Sequence, residues 1–286
     1  MEQREEHKKR KADLHVHTKF SDGALTPSQI VDKAKQADVA VIGIVDHDNM
    51  NGVPEATSCG KDAGVVIIPG VELSATFNNK EVHILGYFVD NHSKELSEFL
   101  SALREERKVR AKHIIDKLHS MNIPLTMESV VEKAGEAAIG RPHIAYAMVE
   151  QGLAESYQSV FNKYIGDKCP AYEKRSEVPP STMTRIISDA GGLSFLAHPA
   201  HSLDDSDVAE LIKTGIDGIE VIHPSHSPEV VRHYREIVQE YFLLESGGSD
   251  FHGGLKNDDQ AFGRVTIPVE IVDAMRQRLF SIHQNH

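Results

Sequence analysis

Cysteine is scarce in this chain of 286 residues: Cys59 and Cys169 lie far apart and share no Cys-x-x-Cys spacing. That excludes a disulfide framework and a thiolate zinc site. No apolar run approaches the roughly 18 residues that a membrane-spanning helix needs. The start, MEQREEHKKRK, is charged and leads into no apolar signal region, so it does not read as a secretory leader. These absences predict a cytoplasmic protein with reduced thiols and no membrane partner. Positive charge is also short. Lys and Arg number 31 against 43 Asp and Glu, a formal net charge of −12. With no global basic field, a nucleotide or nucleic acid would have to be held locally, by a few Arg and Lys residues and by metal. Internal repeats and low-complexity linkers are absent as well.

What remains is an ordinary globular composition, 40% hydrophobic and 26% charged, in which short apolar runs alternate with helical patterns. Strands are expected at 12–17, 39–45, 65–71, 81–89, 192–197, 217–222 and 242–246. Helices begin after Thr26-Pro27, Pro179-Pro180 and Ser227-Pro228, where proline occupies the first helical turn. Several strands are apolar throughout, as parallel strands buried on both faces are. Strand-helix repetition makes this an α/β fold, and seven units suggest a barrel more than an open sheet. One stretch breaks the rhythm. Residues 93–172 hold no convincing strand and read as helices at 93–121, 127–134, 142–151 and 157–165. The expected organisation is a discontinuous barrel domain, 11–92 with 173–286, and a helical insertion, 93–172, that covers the active site.

Histidine is abundant, with 17 residues, and the histidines and carboxylates recur at strand ends. His15 and His17 are two apart on a strand and so share a face. Asp22 follows in the next loop. Asp46-His47-Asp48 ends the second strand, Glu72 the third and His198 the fifth; His83 lies in the fourth, and Asp250 and His252 follow the last. In a parallel barrel the carboxyl-terminal strand ends open on one face, where active sites are built. Imidazole and carboxylate suit manganese, zinc or iron. Nine candidate ligands exceed the about four to six that one ion takes and suit two or three ions sharing a bridging carboxylate. Asp46 and Asp48 are candidates for orienting ligand histidines.

The sequence resembles the PHP family, named for polymerase and histidinol phosphatase. The motifs are Asp13-Leu-His15-Val-His17-Thr-Lys-Phe-Ser-Asp22-Gly, Asp46-His47-Asp48, Pro-Gly-Val-Glu72, Val-His83-Ile-Leu-Gly, Leu-Ala-His198-Pro and Gly-Gly-Ser-Asp250-Phe-His252. The resemblance implies a seven-unit β/α barrel with a trinuclear site at its carboxyl end. One ion would take His15, His17, Glu72 and Asp250; a second would share Glu72 and add His83 and His198; a third would take Asp22, His47 and His252. Two to three divalent ions are expected, manganese first, with zinc or iron as alternatives. Asn49 departs from the threonine more usual in the family, at a position that is not a ligand.

Gly140-Arg141-Pro142-His143, within the helical segment, is similar to a motif of the 3',5'-nucleoside bisphosphate phosphatases and the RNase AM type of 5'-to-3' exonuclease. In that reading Arg141 and His143 hold a substrate phosphate, for which a guanidinium fork is suited. His226, near the mouth with His223, is a further candidate phosphate contact, and Lys174 and Arg175 can add positive charge. The expected activity is metal-dependent phosphoester hydrolysis on a nucleotide or on the 5' end of short RNA, with no obligatory protein partner. Alternatives are another small ester such as a nucleoside monophosphate or histidinol phosphate, an amidohydrolase-type reaction, and a non-catalytic metal-binding module.

Overall fold

The computed structural model describes residues 10–255 and 258–284; the charged start and Asn285-His286 lie outside them. Among the described residues, eight strands form a single sheet: β1 (Lys11–Val16), β2 (Val39–Ile44), β3 (Val66–Phe77), β4 (Lys80–Tyr87), β5 (Leu193–Leu196), β6 (Gly218–Ile222), β7 (Leu244–Gly247) and β8 (Ile267–Pro268). Their order is β7-β6-β5-β4-β3-β2-β1-β8. The two ends meet where Phe251, just past β7, bridges Val16, with the His17 amide donating to the Phe251 carbonyl at 3.0 Å. The sheet is thus a nearly closed barrel.

Each of the seven expected strands forms, most ends within a residue or two; β3 runs six residues further than expected, so Glu72 lies inside it rather than at its end, and the short antiparallel β8 on β1 is an addition. One expectation fails in direction. β3 runs past its partner to Phe77, turns at Asn78-Asn79 and returns as β4, antiparallel to β3 and to β5. Both asparagines have positive φ, 47° and 61°, the backbone that a two-residue hairpin requires and that Asn tolerates. His83 therefore comes from the first half of a reversed strand rather than from a carboxyl-terminal strand end.

The helices obey local chemistry. α1 (Pro27–Gln36) starts on a Thr26–Gln29 capping box with Pro27 in the first turn. α2 (Gly52–Ala63) follows β2. After β4 come α3 (Lys94–Ser120), capped by Ser93, then α4 (Met127–Ala134), α5 (Arg141–Glu150) and α6 (Tyr157–Val160), which runs into a π-helical turn, Phe161–Ile165. α7 (Pro180–Asp189), α8 (Asp205–Ile212), α9 (Pro228–Glu240) and α10 (Val269–Gln284) complete the chain.

Strand side chains such as Ile42, Ile44, Leu73 and Ile84 are fully buried against α1, α2, α7 and α9. Each such burial stabilises by about 1.5–3 kcal/mol. Leu14, Leu85 and Phe195 form a second cluster with Val272 and Met275 of α10. The helical segment keeps its own cluster, centred on Ile114, Leu118, Leu125, Val130, Ile144 and Met148.

Candidate metal centre and phosphate cleft

Alternation along β1 sends Asp13, His15 and His17 to one face, and the rest of the barrel brings seven further ligand candidates to the two histidines. His15 Nε2 lies 3.1 Å from His17 Nε2, 3.2 Å from Asp250 Oδ1 and 3.5 Å from Glu72 Oε2. Glu72 is central: its Oε2 is 3.2 Å from His17 Nε2 and 3.1 Å from His47 Nδ1, and its Oε1 is 2.8 Å from His83 Nδ1 and 3.3 Å from His198 Nε2. Asp22 Oδ1 approaches His252 Nε2 at 3.2 Å and His47 Nε2 at 3.8 Å. The chain thus brings all nine residues together. The tightest groupings are His17, Asp22, His47 and His252; His15, His17 and Asp250; and His47, Glu72 and His83.

Hydrogen bonding fixes what these atoms can do. The His15 Nδ1–H donates to the buried Glu220 carboxylate at 2.8 Å, so Nε2 presents a lone pair. The His252 Nδ1–H donates to the Asp250 carbonyl at 2.6 Å, leaving its Nε2 lone pair toward Asp22. His47 Nδ1, His83 Nδ1 and Glu72 Oε2 are buried without hydrogen-bond partners. Lone pairs converging on lone pairs in a buried place call for cations, and this donor set fits hard or borderline divalent ions. The acid-base balance agrees. Burial opposes ionisation of Glu72, yet His47, His83 and His15 hold its carboxyl well below the usual range. Burial works against a charged His83, but Glu72 and Glu81 push it up to about 10. Burial likewise opposes charge on His15, which Glu220, Asp250 and Glu72 hold well above its ordinary value. Without metal, the carboxylates draw protons into the site instead.

Backbone strain collects here as well. His198, Asp48 and Asp250 have φ of 27°, 49° and 49°, a region costly for side chains bearing a Cβ and common at functional sites. Gly248 is needed for close approach: a Cβ there would meet Asp13 Oδ1 and His15 Cβ at 2.6 Å.

Two supports differ from expectation. Asp46 accepts from the Thr18 amide and hydroxyl, both at 2.7 Å, and from the Ser21 hydroxyl at 2.5 Å. It reaches His17 only through Ser21, whose Oγ is 3.4 Å from Nδ1. Asp48 pairs with arginines, not with a ligand histidine: Arg107 Nε at 2.6 Å and Arg175 Nη2 at 3.2 Å. The positive φ of Asp48 turns its side chain toward the helical segment. Glu220, which accepts from His15 and from the His198 amide at 2.8 Å, was not anticipated. Its only sequence signal is a carboxylate inside the apolar run 217–222.

Beside the centre a cleft of about 220 Å³ is lined by Arg107, Arg110, Arg141 and Arg175, with Tyr157 and Phe161 on the helical side. Arg110 is 8% exposed; its Nε donates to the Glu173 carbonyl while Nη2 is buried with no partner. Burial first, then Arg141, Arg175 and Arg107 against the opposing pull of Glu81, push its guanidinium down to about 10. Arg141 donates to Asp167 at 2.8 Å and lies over the rings of Phe161 and Tyr172. Asp48, Glu81 and Asp167 pair Arg107, Arg175 and Arg141, which leaves the unmet Arg110 donor as the group suited to an anion.

His143 lines this cleft but has no nitrogen to offer a phosphate. Its Nδ1 accepts from the Gly140 amide at 3.0 Å, so its Nε2–H donates to the Ser21 carbonyl at 3.0 Å. Burial holds its pKa below the ordinary value, in keeping with a neutral ring. The ring ties the helical segment to the 18–22 loop. His226 is buried: its Nδ1–H donates to the Val221 carbonyl at 2.9 Å, its Nε2 has no hydrogen-bond partner among the described residues, and the cavity over the centre is lined by His201 and His223. Lys174 Nζ bonds Asn79 at 2.9 Å, outside the arginine cleft.

Comparison with known proteins agrees with this geometry. The PHP domain profile matches residues 13–172. The 5'-3' exoribonuclease Rnm of Escherichia coli is 34% identical over 84% of this chain and 84% of its own length. The 3',5'-nucleoside bisphosphate phosphatase of Chromobacterium violaceum is 30% identical over 84% of this chain and 86% of its own. The crystal structure of a candidate metal-dependent phosphoesterase from Bifidobacterium adolescentis superposes with a TM-score of 0.85 at 29% identity, covering 93% of this chain and 96% of that one. A histidine- and carboxylate-lined barrel mouth, matched by profile and by full-length relatives, places this chain in the PHP domain family.

Proposed function

We propose that this chain is a metal-dependent phosphoesterase that removes the 3'-phosphate of nucleoside 3',5'-bisphosphates and acts from the 5' end on short RNA. The observation that carries the reading is the cleft of four arginines beside the histidine-carboxylate centre, with the unmet Arg110 donor inside it. A substrate with one phosphate at the centre and a second, retained phosphate some distance away fits both. Relatives named for bisphosphate and RNA chemistry support it.

In this reading His15, His17, Asp22, His47, Glu72, His83, His198, Asp250 and His252 hold two to three divalent ions, manganese first. Such ions supply Lewis-acid activation of water and neutralise charge on the phosphoryl oxygens. Arg110, Arg107 and Arg141 grip the retained 5'-phosphate, with Asp48 and Arg175 fixing the angle of Arg107. Tyr157 and Phe161 offer aromatic faces to the nucleoside. His143 holds the 18–22 loop, and with it Asp22, against the helical segment. Residues 93–172 then act as an insertion covering a seven-unit PHP-type barrel formed by 11–92 and 173–286. No helix among the described residues is long and apolar enough to cross a membrane, and we place the enzyme in the cytoplasm.

The test compares adenosine 3',5'-bisphosphate, adenosine monophosphate and a 5'-phosphorylated oligoribonucleotide with manganese, following phosphate and mononucleotide release. The expected order puts the bisphosphate well ahead of the monophosphate. Arg110→Met should raise KM for the bisphosphate by about tenfold or more, the loss of one charge-assisted contact. Equal turnover of bisphosphate and monophosphate would refute the reading.

A further inference from the structure

Three cavities adjoin at the barrel mouth. The arginine cleft shares His47 and His83 with a cavity of about 370 Å³ over Glu72, His198 and Asp250. That cavity in turn shares His83, His198 and His201 with a third, of about 380 Å³. The third lies across the wall made by Glu81 and Arg141, both of which also line the arginine cleft. All three meet at His83, and the third cleft borders both the metal centre and the arginine cleft. A single bisphosphate occupies the first two and leaves the third without a purpose.

We propose that the third cleft binds the nucleotide on the 3' side of the scissile phosphate, and so makes short RNA a substrate as well as the bisphosphate. This rests on the reading of the arginine cleft given above. With the 5'-phosphate held there, the bond that breaks in either substrate is phosphorus to O3'. Water adds its oxygen to phosphorus, the electron pair of the P–O3' bond leaves with O3', and a proton ends on O3'. In the bisphosphate the attacked phosphorus carries only free oxygens. In RNA one of those oxygens is the O5' of the next nucleoside, which must extend away from the centre into space that the first nucleotide does not fill. The products are a 5'-mononucleotide and a chain with a new 5'-phosphate, which itself fits the arginine cleft.

The chemistry of the third cleft suits this ligand. Its volume falls within the range of small-ligand pockets, about 300–1,000 Å³. Its lining offers hydrogen bonding and one aromatic ring rather than concentrated charge: Lys80, His201, Ser202 and Tyr172, with Arg141 contributed from the wall. Lys80 is held at the rim by Asp207 at 2.5 Å. Lys80 is paired with Asp207, and Arg141 with Asp167 and Glu81, so the lining is close to neutral; that suits a diester, which bears one negative charge, better than a terminal phosphate, which bears nearly two. Tyr172 carries Arg141 on its ring, which links occupancy of the two clefts.

The test measures binding by the metal-free protein, so that no substrate is consumed. Adenosine 3',5'-bisphosphate and the 5'-phosphorylated dinucleotide pApA are titrated by calorimetry into wild type, Ser202→Trp and Lys80→Ala. Ser202→Trp fills the third cleft, and Lys80→Ala removes its cation without added bulk. The expected result is that pApA binding weakens relative to bisphosphate binding by about tenfold in Ser202→Trp and by about threefold in Lys80→Ala. The ratio of kcat/KM values with manganese should fall in parallel. Unchanged ratios in both variants, or equal pApA affinity when the cleft is filled, overturn the proposal. Failure of wild type to hydrolyse the bisphosphate, with the binding ratios shifting as stated, overturns the function proposed above and upholds this cleft.

Discussion

Glu220 offers the sharpest test of how the centre is held. Its side chain is fully buried, and it accepts two hydrogen bonds, from His15 Nδ1 and from the His198 amide, each of 2.8 Å. Burial raises the cost of its charge, yet His15 keeps its pKa below the ordinary value. Glu220→Gln keeps the volume and removes the charge. An amide offers one oxygen and one NH2, so whichever way it turns, one of the two donors faces another donor. The loss is about 1.5–3 kcal/mol, the worth of a hydrogen bond to a charged group. At 1.4 kcal/mol per decade that is roughly a ten- to hundredfold loss in metal affinity, the usual penalty for disturbing the group behind a ligand histidine. Chelator competition with manganese or zinc measures it. A melt of the metal-free protein provides the control, and should be lowered but still cooperative, because a buried, charged His15 loses its carboxylate partner. Metal affinity within about twofold of wild type would refute the argument, as would a loss matched by collapse of the metal-free fold.

Three other outcomes are expected. Because His83, raised to about 10, and His15, also raised, must shed protons when metal enters, apparent metal affinity should strengthen with pH, by up to about tenfold per unit for each proton released. Titrations from pH 6 to 9 (roughly the range in which such linkage is read) that show no slope would count against metal at this centre. Burial raises the cost of an ionised Asp48, but Arg107 and Arg175 hold its carboxyl below its ordinary 3.8. Its contribution to stability is therefore present above that value and lost as pH falls through the lower folded one. Asp48→Asn should flatten this acid limb and cost about 3 kcal/mol or more in urea melts at neutral pH, by stranding two buried guanidiniums. Gly248→Ala forces a Cβ against Asp13 and the β1 backbone at His15, and should cost about 1–3 kcal/mol together with weakened metal binding; an unchanged melting temperature would show that the loop relaxes freely.

Much of the centre was legible because most of its candidate ligands sit at or just past a strand end, with Glu72 and His83 inside β3 and β4, and because apolar runs are easy to see. His15 and His17, Glu72, and Asp250 with His252 each close or follow such a run. The direction of β4 was not legible, since apolar content does not distinguish a crossover from a hairpin; Asn78-Asn79 was the available sign. Arg107 and Arg110 were missed although they fall on the buried face of α3 with Leu100, Leu103 and Ile114. Helical spacing reveals a face, but not whether an arginine on it meets solvent, a carboxylate or a ligand. His143 shows the converse. Its motif drew attention to the ring, and only the tertiary partners, Gly140 and Ser21, reveal that both nitrogens are occupied.

The reversal of β4 has a consequence for how the mouth can evolve. Every other neighbour of the centre is delivered at the mouth by its own strand, but β4 returns the chain to the opposite end, where the Asp90 amide bonds the Ala190 carbonyl just before β5. To reach the mouth again the chain must climb, and α3 is the ladder: 27 residues, about 40 Å at 1.5 Å each. Arg104, Arg107 and Arg110 are rungs at fixed height and bearing. A one-residue insertion between Ser93 and Arg104 would turn all three by about 100° and lift them by about 1.5 Å, breaking the Arg107–Asp48 pair. The α3 half of the arginine cleft is thus set by phase along one helix, while Arg141 and Arg175 reach the same cleft from other elements.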